Sequence, residues 1–339
     1  KYPDYKILVT FFSPSGYEIR KKYDLADVVC YLPLDSKSNA KKFVELLNPT
    51  LAIFIKYEFW PNLLKELKKK EIPTILVSGI FRENQIFFKY YGGFMRKSLK
   101  AFHHFFVQDD NSKQLLTTIH FENISVVGDT RFDRVSEILE QDNSLDFIKE
   151  FKDNTYTVVA GSTWEEDEAL FVNYINHVAS EEEKFIIAPH NIKQDSIIQL
   201  QKALHNKAVL FSEKSNKNLK EYQVFIIDTI GVLTKIYSAA DTAYVGGGLK
   251  TGLHNILEPA TFGVPIVIGN NYGKFKEAVD LVTLKGVVSI ENQEEFTTIL
   301  RSLKNDDLFR KSTGEINKNY IQDNVGATQS ILKWMQQKI

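Results

Sequence analysis

Cysteine is almost absent. Cys30 is the only one in 339 residues, so no intrachain disulfide can form. It sits in the apolar run Asp27-Val-Val-Cys-Tyr-Leu32, where a buried, inert thiol is expected. A reducing, cytosolic setting fits such a chain. An excess of one charge is also missing: 42 Lys and Arg face 43 Asp and Glu, for a net charge of -1. That balance excludes a nucleic-acid partner held by bulk charge, though not local basic patches. No stretch reaches the roughly 18 apolar residues of a membrane-spanning helix, and no signal-peptide pattern is present. There is no initiator Met. The chain opens at Lys1-Tyr2-Pro3, and a segment upstream is expected to have been removed. Neither GxGxxG nor GxxxxGK[ST] occurs, which disfavours dinucleotide-dependent dehydrogenases and P-loop enzymes. Internal repeats and low-complexity tracts are lacking as well.

What remains is an ordinary globular composition, 43% hydrophobic and 25% charged, in a chain longer than one comfortable α/β core. Short Val/Ile/Phe runs alternate with amphipathic stretches. Strands are expected at Lys6–Phe12, Asp27–Leu32, Leu51–Lys56, Thr74–Ser78, Phe105–Gln108 and Ile124–Val127 in the first half. In the second half they are expected at Tyr156–Ala160, Lys184–Ala188, Ala208–Phe211, Val224–Ile227, Thr242–Val245, Pro265–Ile268 and Gly286–Ser289. Continuous rather than alternating apolar runs mark parallel strands buried on both faces. Helical periodicity between them, as in Ser38–Leu47, Pro61–Lys70 and Trp164–Val178, makes βαβ units and doubly wound sheets. The expected division is a first domain over 1–135, a linker over 136–153, a second domain over 154–325 and a C-terminal helix over 326–339. That helix carries Leu332, Met335 and Ile339 on one face.

Ligands of doubly wound sheets sit beyond the carboxyl ends of the strands. Four such ends in the second half are polar or glycine-rich. The first is Ala160-Gly161-Ser162-Thr163-Trp164-Glu165-Glu166. Glycine would admit a ligand to the backbone, and hydroxyls and free amides would hold a phosphate. The competing reading is an ordinary helix cap at Ser162 or Thr163, completed by Glu165 or Glu166. The second is Pro189-His190-Asn191, a phosphate donor or a plain surface loop. The third is Asp228-Thr229-Ile230-Gly231, whose backbone suits the edge of a base, or a turn with Asp228 as a cap. The fourth is the strongest, Tyr244-Val-Gly-Gly-Gly-Leu-Lys-Thr-Gly-Leu-His-Asn-Ile-Leu-Glu-Pro-Ala-Thr-Phe-Gly-Val-Pro265. Its glycines, Gly247 among them, make a loop whose amides can face phosphate. Asn255 caps the next helix, Pro259 suits an early turn and Gly263 its end. Glu258 then offers a carboxylate to both hydroxyls of a ribose. The combination is that of a nucleotide-sugar site.

At this point the chain resembles a known family, the 3-deoxy-D-manno-octulosonic acid (Kdo) transferases of lipopolysaccharide synthesis. In the first half the resemblance rests on Val9-Thr-Phe-Phe-Ser-Pro-Ser-Gly16, Tyr31-Leu-Pro-Leu-Asp35, Glu58-Phe-Trp-Pro-Asn62, Val107-Gln108 and Val127-Gly-Asp-Thr-Arg-Phe-Asp133. In the second it rests on Gly161-Ser-Thr-Trp-Glu165, Pro189-His190, Asp228-Thr-Ile-Gly231, Tyr237-Ser-Ala-Ala-Asp241 and His254-Asn-Ile-Leu-Glu-Pro259. It implies an α/β fold of the GT-B type, two doubly wound Rossmann-like domains facing across a cleft. It also implies inverting transfer from CMP-Kdo to a lipid A precursor at the cytoplasmic face of the inner membrane. No metal ion is expected to hold the donor phosphate, and no cofactor. Pro189 and His190, then Ile230, Gly231 and Val232, then Asn255, Ile256, Leu257 and Glu258, match three segments that contact CMP. Glu58 and Arg131 match two polar positions that stabilise the transition state. Arg131, charged at any working pH, suits the donor carboxylate or the departing phosphate. For Glu58 the bland alternative is a carboxylate tying down its own loop.

Three departures qualify the resemblance. His190 stands where an Arg is common, so phosphate binding is expected to weaken as pH rises past its titration. Val232 stands where a Glu is common, leaving only backbone contacts. The family's general base, a Glu in a Gly-Glu motif, belongs to a first strand–helix unit that would precede Lys1. As written the chain is expected to hold donor and lack that base. Apart from the resemblance, Gln85–Lys100 mixes aromatics with Lys89, Arg96, Lys97 and Lys100. It reads either as a peripheral membrane contact or as a helix packed on its own domain. Anchoring through the upstream segment is the other route to the membrane. Two further readings stay open: another GT-B enzyme, of the lipid A disaccharide synthase or UDP-sugar epimerase type, and a donor-binding module without catalysis.

Overall fold

The structure, a computed structural model, describes residues 4–205 and 207–338. It has two compact units. One comprises the chain up to Thr130 with the segment from Gly326 onward, and the other runs Arg131–Val325. In the first unit, β1 (Leu8–Phe11) pairs in parallel with β2 (Val28–Tyr31). A separate parallel sheet follows in the order β3 (Ala52–Ile55), β4 (Thr74–Gly79), β5 (His104–Val107), β6 (Ile124–Val126). The core of this unit lies under β3–β5, where Phe54, Leu76 and Phe105 meet Leu64 and Leu67 of the helix Pro61–Lys69. That helix starts where two of the sequence motifs meet: both carboxylate oxygens of Asp35 accept backbone N–H groups, from Asn62 and Leu63 (2.9 and 2.9 Å). Cys30 is half-buried, and burial pushes its thiol up, away from reactivity.

The second unit is built on a seven-stranded parallel sheet. Its strands are β7 (Tyr156–Thr163), β8 (Glu183–Pro189), β9 (Ala208–Leu210), β10 (Val224–Ile226), β11 (Thr242–Val245), β12 (Ile266–Gly269) and β13 (Val287–Ile290). Their order is β13-β12-β11-β7-β8-β10-β9. The central strands are buried on both faces, which is why their sequences are unbroken apolar runs. The strand order reverses direction between β7 and β11, the position where open α/β sheets bind ligands.

Each of the thirteen expected strands has a counterpart within a few residues. The divisions between domains differ. Residues 136–153 are not a free linker: the helix Asp146–Lys152 buries Ile148 and Phe151 in the core of the second unit. The 3-10 turn before it, Glu137–Glu140, and Val135 belong to the same unit. The C-terminal helix Ala327–Lys338 packs on the first unit instead of standing alone. Ala327 and Ile331 are buried, and Ile331 packs on Ile75, Val77 and Phe106 with the partly buried Trp334 and Met335 beside it. Leu332, expected on that face, is offset from it, and Ile339 lies outside the described residues, as does the Lys1-Tyr2-Pro3 opening. Among the described residues no helix is long and apolar enough to cross a membrane.

Candidate functional site

In the second unit the carboxyl ends of β11, β7, β8 and β10 lie side by side in that order. All four polar segments marked in the sequence therefore meet at one edge. β7 runs on through Ser162 to Thr163, with a register shift and a left-handed Ser162 (φ 54°) just before the helix Glu165–His177. The Ser/Thr cap of the competing reading does not form. Asp167, in the first turn, accepts the Trp164 N–H (2.9 Å) and the Gly247 N–H (2.9 Å) on Oδ2. Its Oδ1 accepts the Tyr244 hydroxyl (2.6 Å). Asp167 is 1% exposed, so these bonds replace its lost hydration. One buried carboxylate thus fastens the glycine loop to the strand–helix turn of β7.

The glycines divide into two kinds. Gly247 (φ 87°) turns the loop, and its carbonyl accepts the Gly252 N–H (2.8 Å). Gly161 was expected to make room for a ligand. It makes room for Tyr237 instead, since a Cβ there would lie 1.9 Å from the tyrosine hydroxyl. Gly248 likewise lies against Gly269, at the end of β12, with no space for either to carry a side chain.

Above this frame sit three stacked rings. Trp164 stacks on His190 (centroids 4.7 Å apart) and His190 on His254 (4.4 Å). The Trp164 indole N–H donates to Nε2 of His254 (3.0 Å). Burial, and then the neighbouring His190, hold the His254 imidazole below its usual range, so it is neutral near pH 7. Thr163 donates through its hydroxyl to Glu168 (3.0 Å), whose carboxyl burial pushes up to about 7.

Glu258 joins the third and fourth segments. Its Oε1 accepts from the Asn255 side-chain amide (3.0 Å) and its Oε2 from the Thr234 hydroxyl (2.6 Å). Asn255 Oδ1 accepts the Leu257 N–H (3.2 Å), the expected cap, and Gly263 is left-handed (φ 69°) just past the helix Leu257–Thr261. Thr234 follows the segment Ile230-Gly231-Val232, where Ile230 is 86% exposed and Gly231 takes φ 88°. That backbone is exposed. Two other sequence assignments change. Ile256 and Leu257 point into the core, so only their backbone faces the site. Asp228 caps no helix; it accepts the Ser212 N–H (2.9 Å) and ties the segment after β9 to the end of β10.

The two remaining candidates belong to different units. Glu58 is exposed on the first, at the end of β3, and accepts the Trp60 indole N–H (2.7 Å). Arg131, in the second, is ion-paired with Glu277 (2.8 Å).

Trp164, Asp167, Thr234 and His254 were not among the expected binding residues. Trp164 and His254 stand inside the motifs, but nothing in their spacing shows that their rings meet. Thr234 sits in an unremarkable helix, Leu233–Ile236, and carries no signal.

Two units, each built on parallel strands with helices between them, define an α/β protein of the GT-B fold. Solved structures agree in fold. UDP-GlcNAc 2-epimerase from Neisseria meningitidis superposes with a TM-score of 0.67 at 12% identity, covering 98% of this chain and 92% of that one. The family model for 3-deoxy-D-manno-octulosonic-acid transferase matches residues 1–134. The 3-deoxy-D-manno-octulosonic acid transferase of Haemophilus influenzae is 28% identical over 98% of this chain and 80% of its own length. A bifunctional glycosyltransferase/methyltransferase of Fusobacterium nucleatum is 25% identical over 96% of this chain, which spans only 52% of that protein. The resemblance to the Kdo transferases thus runs through nearly the whole chain, and the chain is an enzyme of the glycosyltransferase class.

Proposed function

We propose that this protein transfers Kdo from CMP-Kdo to a lipid A precursor, with inversion, in lipopolysaccharide synthesis. The single observation that carries the donor assignment is Glu258. It is held by Asn255 on one side and Thr234 on the other, beside the open Ile230–Gly231 backbone. A carboxylate so fixed keeps lone pairs for a ribose diol, while the neighbouring backbone meets the base. The anion of the donor falls to the ring stack at Pro189-His190 and to the amides of the Gly247 loop. Glu58 and Arg131 are assigned to the transition state: Arg131 as a fixed positive charge for developing anionic charge, Glu58 as a carboxylate near the reacting sugar. Because Arg131 already pairs with Glu277, its charge is shared until an anion competes for it. The acceptor hydroxyl needs a base to take its proton, and that role is assigned to no residue of this chain.

The acceptor side is assigned to Gln85–Lys100. Ile86, Tyr90, Tyr91 and Phe94 are exposed there, Tyr90 to 94%, near Lys97 and Lys100. Arg96, included in the expected basic patch, donates to the carbonyls of Phe87 and Lys89 (3.0 and 2.7 Å) and braces the turn. Exposed rings beside exposed lysines suit an anionic lipid surface, which supports the proposed site of action at the inner membrane. Changing Lys97 and Lys100 to Glu, with Tyr90 and Phe94 to Ser, is expected to abolish sedimentation with anionic vesicles; unchanged sedimentation would refute the patch. The function itself is tested by incubating the full-length protein with CMP-Kdo and a lipid A precursor. Mass spectrometry is expected to show a Kdo-bearing product and released CMP. Turnover of a UDP-sugar instead would refute the donor and favour the epimerase-like reading.

A further inference from the structure

The turn that carries Glu58 is held by an ion pair that none of the roles above uses. Lys56 follows β3 and takes a left-handed conformation (φ 59°), its N–H donating to the Val77 carbonyl (2.9 Å). The Glu58 N–H then donates to Ile55 (3.3 Å) and closes the turn. A non-glycine residue held left-handed is strained, and glycine there would remove the strain. A lysine at such a position is explained if its side chain is used. Here Nζ lies 3.3 Å from Oδ2 of Asp129, a carboxylate only 3% exposed.

Asp129 in turn stands on a fixed frame. The next residue, Thr130, donates its N–H to Ser78 Oγ (3.1 Å), and the Gln108 side-chain amide donates to the Ser78 carbonyl (3.0 Å). Ser78 is itself left-handed (φ 50°). The carboxyl ends of β4 and β5 and the segment after β6 are thereby locked together. Lys56 reaches from the end of β3 to that frame.

We propose that Lys56 and Asp129 are a positioning pair: they set the turn from which Glu58 presents its carboxylate, while the Trp60 indole N–H donates to that carboxylate and aims it. This rests on the role given to Glu58 above. Lys56 and Asp129 act through Glu58 and are not assigned contact with either sugar.

The test uses the full-length protein with two readouts. The first is the Trp60 indole N–H resonance, which reports the hydrogen bond to Glu58 and needs no turnover. The second is Kdo transfer. Lys56→Met is expected to move the Trp60 resonance and lower kcat by about tenfold or more, with KM for CMP-Kdo changed by less than about threefold. Lys56→Arg is expected to restore both. Asp129→Asn is expected to match Lys56→Met, and the double variant to be no worse than either, because one interaction is being removed twice. An unmoved Trp60 resonance in Lys56→Met overturns the proposal. So does unchanged kcat, or a Lys56→Arg protein as impaired as Lys56→Met. Absence of Kdo transfer in the unaltered enzyme would instead overturn the proposed function, and the resonance alone would then decide the pair.

Discussion

At the scale of single residues, the proposed donor site holds carboxylates with different surroundings. With the ribose role proposed for Glu258, Glu258→Ala is expected to weaken CMP binding by about 10- to 100-fold in titration calorimetry, the loss of one or two hydrogen bonds to a charged group. Unimpaired binding would remove its ribose role. Glu168 behaves differently. Burial raises its carboxyl from 4.5 to about 7, so between those values the fold keeps a proton that the unfolded chain has released. Its contribution is favourable at acid pH and is lost as pH rises through about 7. Glu168→Gln, which still accepts the Thr163 hydroxyl, is expected to raise the melting temperature at pH 8 by roughly 2–5 °C and to leave it unchanged near pH 4.5. A gain of equal size at both pH values would contradict this account. Asn255, Glu258 and Gly263 were legible in the sequence because caps and helix ends are set by neighbours a few residues away. Asp167 and Thr234 were not, since their partners lie 80 and 24 residues off in the chain. Such pairings are decided by which strands come to lie side by side.

At the scale of elements, short-range patterns served well for strands and less well for what covers them. The strands were readable because burial on both faces leaves continuous Val/Ile/Phe runs, as in Phe185-Ile-Ile-Ala188. The role of Gly161 was misread because a ligand and a tyrosine ring ask the same thing of a backbone, namely no Cβ. The glycine loop depends on such packing. Gly269→Ala would bring a Cβ to 2.3 Å from the Gly248 carbonyl carbon, and is expected to lower both thermal stability and CMP affinity. Normal CMP affinity in that variant would show that the loop is not fixed by this contact. The C-terminal helix was assigned a stripe through Leu332 because the pattern of apolar residues allows two registers. Packing on β4 and β5 selects the one through Ile331 and Trp334. Trp334 meets His104 at a tilt (centroids 5.2 Å apart) and Phe106 edge-on (5.6 Å). Trp334→Ala is expected to cost about 3 kcal/mol of docking and to make the tail the first site cut in limited proteolysis. A protease-resistant tail in that variant would argue against this docking.

At the scale of the whole molecule, the division into two units assigns the functions to different places. The residues proposed to hold the nucleotide sugar belong to the seven-stranded unit, and Glu58, the Lys56–Asp129 pair and the exposed aromatic patch to the other. The sequence placed the boundary a few residues late and left a linker where a helix is buried, because a polar helix surface looks like a linker until its partner is known. The likeness to a UDP-sugar epimerase extends over nearly the whole chain but is one of fold, at 12% identity. The base of the donor is therefore the point at which the account is most exposed. The most direct measurement is titration of the protein with CMP and, separately, with UDP, followed by heat release and by thermal shift. The account predicts saturable binding and stabilisation by CMP, lost in Glu258→Ala, with no comparable effect of UDP. Binding of UDP without binding of CMP would contradict it.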